Sequence, residues 1–149
     1  MDIQVSFPGG KRVNAQVGNF VIETDQPPEF GGNGAAPAPY DLFLASIGTC
    51  AGIYVLGFCQ ARGIPTEGLR LLQHNELDPT SKLLRTVRLE LSLPPGFPEK
   101  YRAAIVKAAE GCKVKKTLAS APSFEVVVTN LNDPLSSPHL EECSACASA

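Results

Sequence analysis

The longest uncharged stretch of the sequence, residues 42–59, restricts the possible folds more than any other feature. Its eighteen residues include no Asp, Glu, Lys or Arg, and a helix of that length approaches a membrane span. Three glycines, one serine and one threonine keep its hydrophobicity modest, and no Trp flanks it. We therefore predict a helix buried inside a soluble fold, with no membrane as partner.

The signals at the two ends of this stretch define a long helix. Pro39 suits the first helical turn, where its missing N–H costs nothing. The helix is predicted to run to about Arg62 and to end at Gly63, which is followed by Pro65. Residues 25–39, just before it, are rich in Pro and Gly and have no periodicity, as in loops that carry function.

The remaining patterns predict short strands and two further helices. The strands are residues 2–7, 12–16, 19–24, 69–76, 83–93 and 124–129, and the helices are 98–110 and 114–120. In residues 83–93, Val87, Leu89, Leu91 and Leu93 alternate with polar residues and share one face. Most connections between strands are short, so the fold class is α+β with antiparallel pairing.

Charge and the first residues argue against several classes of function. Thirteen Lys and Arg stand against fifteen Asp and Glu, a net charge of −2, without a dense basic run. A nucleic-acid partner is therefore not expected. Residues 1–10 lack the basic and apolar pattern of a secretory signal, so we expect a cytoplasmic, reducing location.

Five cysteines carry the candidate chemistry, and an odd number does not make a closed disulfide framework. By composition alone, Cys50 and Cys59 are apolar fillers of the long helix. Cys112 follows Gly111 and precedes three lysines at a predicted helix start. The helix dipole and the nearby ammonium groups are expected to favour its thiolate, unless Cys112 is an ordinary helix-start residue.

The last residues, 130–149, are predicted to form a tail outside a domain of residues 1–129. Cys143 and Cys146 form a C-x-x-C pair there, with His139 four residues earlier. Such a pair is found in redox centres and in half of a zinc site, or occurs by chance. The only other histidine is His74, so no metal site is predicted.

Two cysteine segments resemble one known family. Residues 37–50, Pro-Ala-Pro-Tyr-Asp-Leu-Phe-Leu-Ala-Ser-Ile-Gly-Thr-Cys, resemble the segment around the first cysteine of the OsmC/Ohr family. Residues 111–118, Gly-Cys-Lys-Val-Lys-Lys-Thr-Leu, resemble the segment around its second cysteine. The predicted order of strands and helices matches that family from about Ile3 to Val128.

This resemblance implies an OsmC-like fold, in which antiparallel sheets pack on a long central helix within an intertwined homodimer. It implies a thiol-dependent peroxidase that reduces organic hydroperoxides in oxidative-stress defence, with Cys50 as peroxidatic nucleophile and Cys112 as resolving thiol. The reductant would be a lipoylated or other dithiol, with no bound cofactor. A substrate pocket is expected at four residues near Cys50: Tyr40, Phe43, Ile53 and Tyr54.

The sequence departs from the family pattern at two places. Tyr40 stands at the position of the family's helix-start Glu, and Asp41, one residue on, is the nearest carboxylate. The family's arginine corresponds to Arg12, or is replaced by Lys11. The alternative function is therefore a catalytically weak or inactive OsmC-like protein that binds a small apolar or thiol ligand at the dimer interface. A third hypothesis makes His139, Cys143 and Cys146 a built-in shuttle or metal site.

Overall fold

The computed structural model describes residues 1–130 and confirms the α+β class. The tail residues 131–149, including His139, Cys143 and Cys146, lie outside the described residues. In chain order the elements are β1 (Ile3–Gly9), β2 (Arg12–Val17), β3 (Phe20–Ile22), α1 (Pro39–Gln60), β4 (Arg70–Leu77), β5 (Leu84–Ser92), α2 (Arg102–Glu110) and α3 (Lys113–Ala119). Single 3-10 turns cover Pro28–Phe30 and Glu99–Tyr101.

The long helix α1 begins where the sequence predicts and ends two residues early. Ala38 is extended and Pro39 opens the first turn. At the other end, Gly63 adopts φ +61°, a left-handed conformation that glycine reaches without strain. The Ile64 N–H then donates to the Cys59 carbonyl at 3.0 Å, which turns the chain back and buries Ile64.

One stripe of α1 forms the centre of the core. Its buried residues follow a helical spacing, with the last two adjacent, and are Ile47, Ala51, Val55, Phe58 and Cys59. Ile105 and Ala109 of α2 pack against the stripe, and Leu71 and Leu91 of the β4–β5 sheet border it. Cys59 is fully buried here, which confirms its role as an apolar filler. Each large side chain in the stripe stabilises the fold by roughly 1.5–3 kcal/mol.

The opposite face of α1 is uncovered. Ile53 is 66 % exposed, and Tyr54 and Leu56 are also exposed. Pro39–Gln60 is long and apolar enough to cross a membrane by length and composition. In its most apolar 18-residue segment, only 28 % is buried within the described residues. The prediction of a buried helix therefore holds for one face of α1 within the described residues.

Both sheets are antiparallel, as predicted. One has the order β1-β2-β3 and the other pairs β4 with β5. In β5, Val87, Leu89 and Leu91 share the half-buried face, which confirms the predicted alternation. The prediction that one face of β1 is half-buried is wrong. Val5 and Phe7 are 49 % and 79 % exposed, and no element of the described chain covers them.

The predicted strand at residues 124–129 is also wrong for this chain, because residues 121–130 contain no regular structure. The side chains of Phe124, Val126 and Val128 are 89 %, 94 % and 97 % exposed. A strand exists only when a neighbour accepts and donates its backbone hydrogen bonds. The described residues offer this segment no such neighbour.

A buried carboxylate organises the loop before α1. Asp25 is 1 % exposed and accepts hydrogen bonds from the amides of Gln26, Asn33 and Ala35 at 2.8, 3.1 and 3.1 Å. Hydrogen bonding from the Ala35 amide is the main reason that the pKa of Asp25 lies below its ordinary value. A Cβ at Gly32 would overlap the Gln26 carbonyl, so only glycine fits there.

We predict that Asp25→Asn lowers the melting temperature at neutral pH by more than the control Asp2→Asn, whose site is exposed. The folded pKa of Asp25 is depressed, so ionised Asp25 stabilises the fold above its ordinary pKa of about 3.9. That contribution is lost as the pH falls through the folded pKa. Thermal unfolding of both variants from about pH 7 down to pH 3 should therefore show the Asp25→Asn deficit shrinking. A deficit independent of pH would contradict this assignment.

Candidate functional site

Two cysteines meet where α1 contacts the start of α3. Cys50 is half-buried in the middle of α1, and Cys112 is fully buried at the N-cap of α3. The Cys112 Sγ accepts the Lys115 backbone N–H at 3.5 Å, which orients the first turn of α3. Both cysteines are free thiols. The helix break at Gly111 brings Cys112 to this position, since α2 ends one residue before it.

The start of α3 makes Cys50 the more acidic of the helix thiols. Hydrogen bonding from the Val114 backbone amide is the largest cause that lowers the pKa of Cys50. The Cys112 side chain, the Lys113 amide and the charge of Lys115 act in the same direction, while burial opposes them. The amides and the lysines at the start of α3 thus favour a thiolate on the neighbouring helix.

Cys59 shows the opposite behaviour nine residues along α1. Burial raises the pKa of Cys59, and the charge of Arg62 offsets this only in part. Its thiol therefore stays protonated at neutral pH and packs as an apolar group. The same helix thus carries one activated thiol and one inert thiol, and the difference lies in what packs against each.

A small apolar cavity opens beside Cys50. It has a volume of about 380 Å³, within the usual range for small-molecule sites. Its lining residues come from α1 and α3: Phe43, Cys50, Lys113, Val114, Thr117 and Leu118. The walls are mostly apolar, so the cavity suits a small apolar molecule with one reactive polar group directed at the sulfur.

Of the four residues predicted to contact substrate, one lines this cavity. Phe43 lies in its wall, and Tyr40 stacks on Phe43 with ring centroids 5.7 Å apart. Ile53 and Tyr54 lie one turn beyond Cys50 on the uncovered face of α1, outside the cavity wall formed by the described residues. Val114, Thr117 and Leu118 also line the cavity and were not predicted, although their helical spacing after Cys112 places them on one face of α3.

The predicted polar residues act elsewhere in the described chain. Arg12 is near enough to Asp25 for its charge to help to lower the pKa of that carboxyl. Asp41 accepts the Ala38 N–H at 3.2 Å and so caps the start of α1. The cation that acts on Cys50 is Lys115 rather than Arg12 or Lys11, among residues 1–130. Catalytic roles for Arg12 and Asp41 remain predictions.

Comparisons with known proteins agree on one family. The profile of the family described as OsmC-like protein matches residues 31–127. An osmotic stress induced and detoxification response protein from Psychrobacter arcticus superposes with a TM-score of 0.65 and 21 % identity, over 77 % of this chain and 85 % of that one. An OsmC-like protein from Mycoplasma pneumoniae gives a TM-score of 0.61 and 18 % identity, over 80 % and 87 %.

Two further solved structures carry names that refer to hydroperoxides. An organic hydroperoxide resistance protein OsmC from Legionella pneumophila gives a TM-score of 0.50 and 22 % identity, over 79 % of this chain and 89 % of that one. A Vibrio cholerae organic hydroperoxide resistance protein with captopril bound in one active site gives 0.53 and 16 %, over 81 % and 85 %. Comparison with curated proteins gives no significant match. At these identities the superpositions establish the fold.

We predict that iodoacetamide alkylates Cys50 at least about tenfold faster than Cys59 at neutral pH, because the two pKa values shift in opposite directions. Lys115→Gln should move the midpoint of the Cys50 pH profile upward, since it removes a charge that favours the thiolate. Peptide mass spectrometry follows each cysteine separately. Lys107→Gln, an exposed lysine on α2, is the matched control and should leave the midpoint unchanged. Equal rates at Cys50 and Cys59 would refute the electrostatic account.

Proposed function

The chain belongs to the OsmC-like protein family, and we propose that it reduces organic hydroperoxides through Cys50 and Cys112. The main support for this proposal is that two free thiols, Cys50 and Cys112, are in hydrogen-bond contact at the start of α3, beside an apolar cavity. The lowered pKa of Cys50 supports its role as nucleophile, since the thiolate is the reactive form. Buried Cys112 is the proposed resolving thiol.

The proposed reaction has three balanced steps. The Cys50 thiolate attacks the terminal hydroperoxide oxygen, the O–O bond breaks, and the departing alkoxide takes a proton to become an alcohol. Cys50 is thereby oxidised to a sulfenic acid. The Cys112 thiol then attacks the Cys50 sulfur, and a disulfide forms with release of water. An external dithiol, such as a lipoylated protein, reduces the disulfide by exchange and becomes oxidised itself.

The cavity suggests how substrate is selected. Phe43, Val114 and Leu118 offer apolar surface to an organic substituent, and Thr117 and Lys113 are the polar groups of the wall. An organic hydroperoxide with an apolar body would bury that body here, which gains roughly 25 cal/mol for each Å² removed from water. Hydrogen peroxide has no such surface. We therefore propose that apolar hydroperoxides react with higher kcat/KM than hydrogen peroxide.

One observation favours a second candidate, a catalytically weak protein that binds a small apolar or thiol ligand in this cavity. The charge of Arg12 acts on Asp25, and Asp41 caps α1, and neither contributes to the lowered pKa of Cys50 in residues 1–130. Without a guanidinium near the sulfur, the bidentate support of a leaving oxygen is lost, and Lys115 supplies only a point charge. Rapid sulfenic-acid formation favours the peroxidase, and saturable ligand binding without oxidation favours this alternative.

We predict that Cys50→Ser lowers turnover of cumene hydroperoxide in the presence of a dithiol to the uncatalysed rate. Cys112→Ser should leave the first oxidation intact but stop at the sulfenic acid, which dimedone traps on Cys50. The matched control is Cys59→Ala, which removes a buried thiol with no part in the reaction and should retain turnover. Activity that survives Cys50→Ser would exclude Cys50 as the nucleophile.

We also propose that the protein is a homodimer. The uncovered face of α1, the exposed residues of β1 and the segment 124–128 leave an unusual amount of apolar surface in contact with water. A second copy would cover these surfaces and give the segment 124–128 a strand to pair with. Proteins of this family are typically soluble, which agrees with burial of α1 by protein rather than by lipid. We propose the cytoplasm as its location.

We predict that sedimentation velocity gives a mass of about twice the 15.8 kDa of the chain. Ile53→Glu places a charge on the uncovered face of α1 and should shift the mass towards one chain, because an unpaired buried charge is costly. Glu67→Gln, at an exposed loop position, is the control and should leave the mass unchanged. A single-chain mass for the unaltered protein would contradict the dimer.

A further inference from the structure

A second cavity lies at the far end of α1 from Cys50. It has a volume of about 450 Å³ and is formed by the turn after α1 and the loop between β5 and α2. Cys50 and the last helical residue, Gln60, are ten positions apart, so this cavity is about 15 Å further along the helix axis. It shares no lining residue with the cavity beside Cys50.

The walls of this cavity combine apolar rings with polar groups. Four prolines contribute to them, and proline has a fixed φ and no N–H. Phe97 is buried behind the loop, and its N–H donates to the Pro94 carbonyl at 3.1 Å. The Tyr101 N–H donates to the Pro98 carbonyl at 3.0 Å. The loop is therefore shaped before any ligand arrives, which lowers the entropic cost of binding.

Two cations border the same cavity, and each lies over an aromatic ring. The Arg62 guanidinium lies 3.8 Å from the centroid of Phe58, and one of its N–H groups donates to the Phe58 carbonyl at 3.2 Å. The Lys100 ammonium lies 4.9 Å from the centroid of Tyr101. Among residues 1–130, neither cation forms an ion pair with a carboxylate.

The charge at the rim limits the class of ligand. Arg62 and Lys100 supply two positive charges, and Glu67 supplies one negative charge, so the lining has one net positive charge. A monoanion is complementary to this charge, whereas the second negative charge of a dianion would be repelled by the Glu67 carboxylate. The planar guanidinium fits a carboxylate with two parallel hydrogen bonds. The apolar part of the wall, formed by proline rings and Tyr101, fits a flat hydrocarbon body.

We propose that the cavity between the end of α1 and the β5–α2 loop binds a small monocarboxylate with a flat apolar body. Arg62 and Lys100 pair with the carboxylate, and the proline-rich loop with Tyr101 covers the hydrocarbon part. This site is separate from the thiol site, and it stands whether or not the chain is a peroxidase.

Naphthoate tests the proposal on the full chain by two-dimensional amide NMR. Binding with a Kd of about 1 mM is expected for a ligand of this size, with shifts centred on the Gly63 and Gly96 amides at the cavity rim. The neutral analogue naphthalenemethanol should bind about tenfold more weakly, since it lacks the charge. Naphthyl phosphate, mostly a dianion at neutral pH, should bind no more tightly than naphthoate.

Variants separate the two cations from general effects on the fold. Arg62→Gln should weaken naphthoate binding about tenfold. Arg62→Lys should weaken it less, because lysine keeps the positive charge but cannot form two parallel hydrogen bonds. Lys100→Gln should also weaken binding, and Lys107→Gln on α2 is the matched control. If Arg62→Gln fails to fold, Lys100→Gln and the neutral analogue decide the result. Equal binding of acid and alcohol, shifts centred on Lys113 to Leu118, or no saturable binding would overturn the proposal.

Discussion

The packing of α1 against α2 and the β4–β5 sheet is the interaction on which the rest of the structure depends. A single stripe from Ile47 to Cys59 supplies three of the largest fully buried side chains, and both smaller helices contact α1. Since Cys50 sits three residues after Ile47, the packing that buries the stripe also turns Cys50 towards α3. The hydrophobic core and the thiol site are thus consequences of one helix orientation.

Electrostatics then distinguishes cysteines that the hydrophobic pattern alone treats as equal. An apolar environment raises the pKa of a thiol, as it does for Cys59. The pKa of Cys50 is lowered despite its partial burial, because the first amides of α3 and the charge of Lys115 lie beside its sulfur. In this chain, backbone amides at the start of α3 and the charge of Lys115 therefore favour the Cys50 thiolate. This dependence makes the proposed peroxidase activity sensitive to the exact position of α3.

Local patterns in the sequence predict most of the fold, because they report on contacts within one element. Pro39 and Gly63 mark the ends of α1 closely, and the alternation in β5 identifies its inward face. The strand at 124–129 and the burial of β1 could not be predicted in this way. The strand and the burial of β1 each require a neighbouring surface, which residues 1–130 of one chain do not supply. A periodic pattern shows which face of an element is apolar but not what packs against that face.

The site was predictable in part for the same reason. Family resemblance identifies Cys50 and Cys112, but no local pattern in the sequence predicts that Asp25 is buried or that the charge of Arg12 acts on it. The most direct test of the central claim is disulfide mapping after one equivalent of cumene hydroperoxide. The account predicts a peptide pair joined through Cys50 and Cys112, with Cys59 still a thiol. Oxidation of Cys50 without this cross-link, or a disulfide that joins other cysteines, would contradict it.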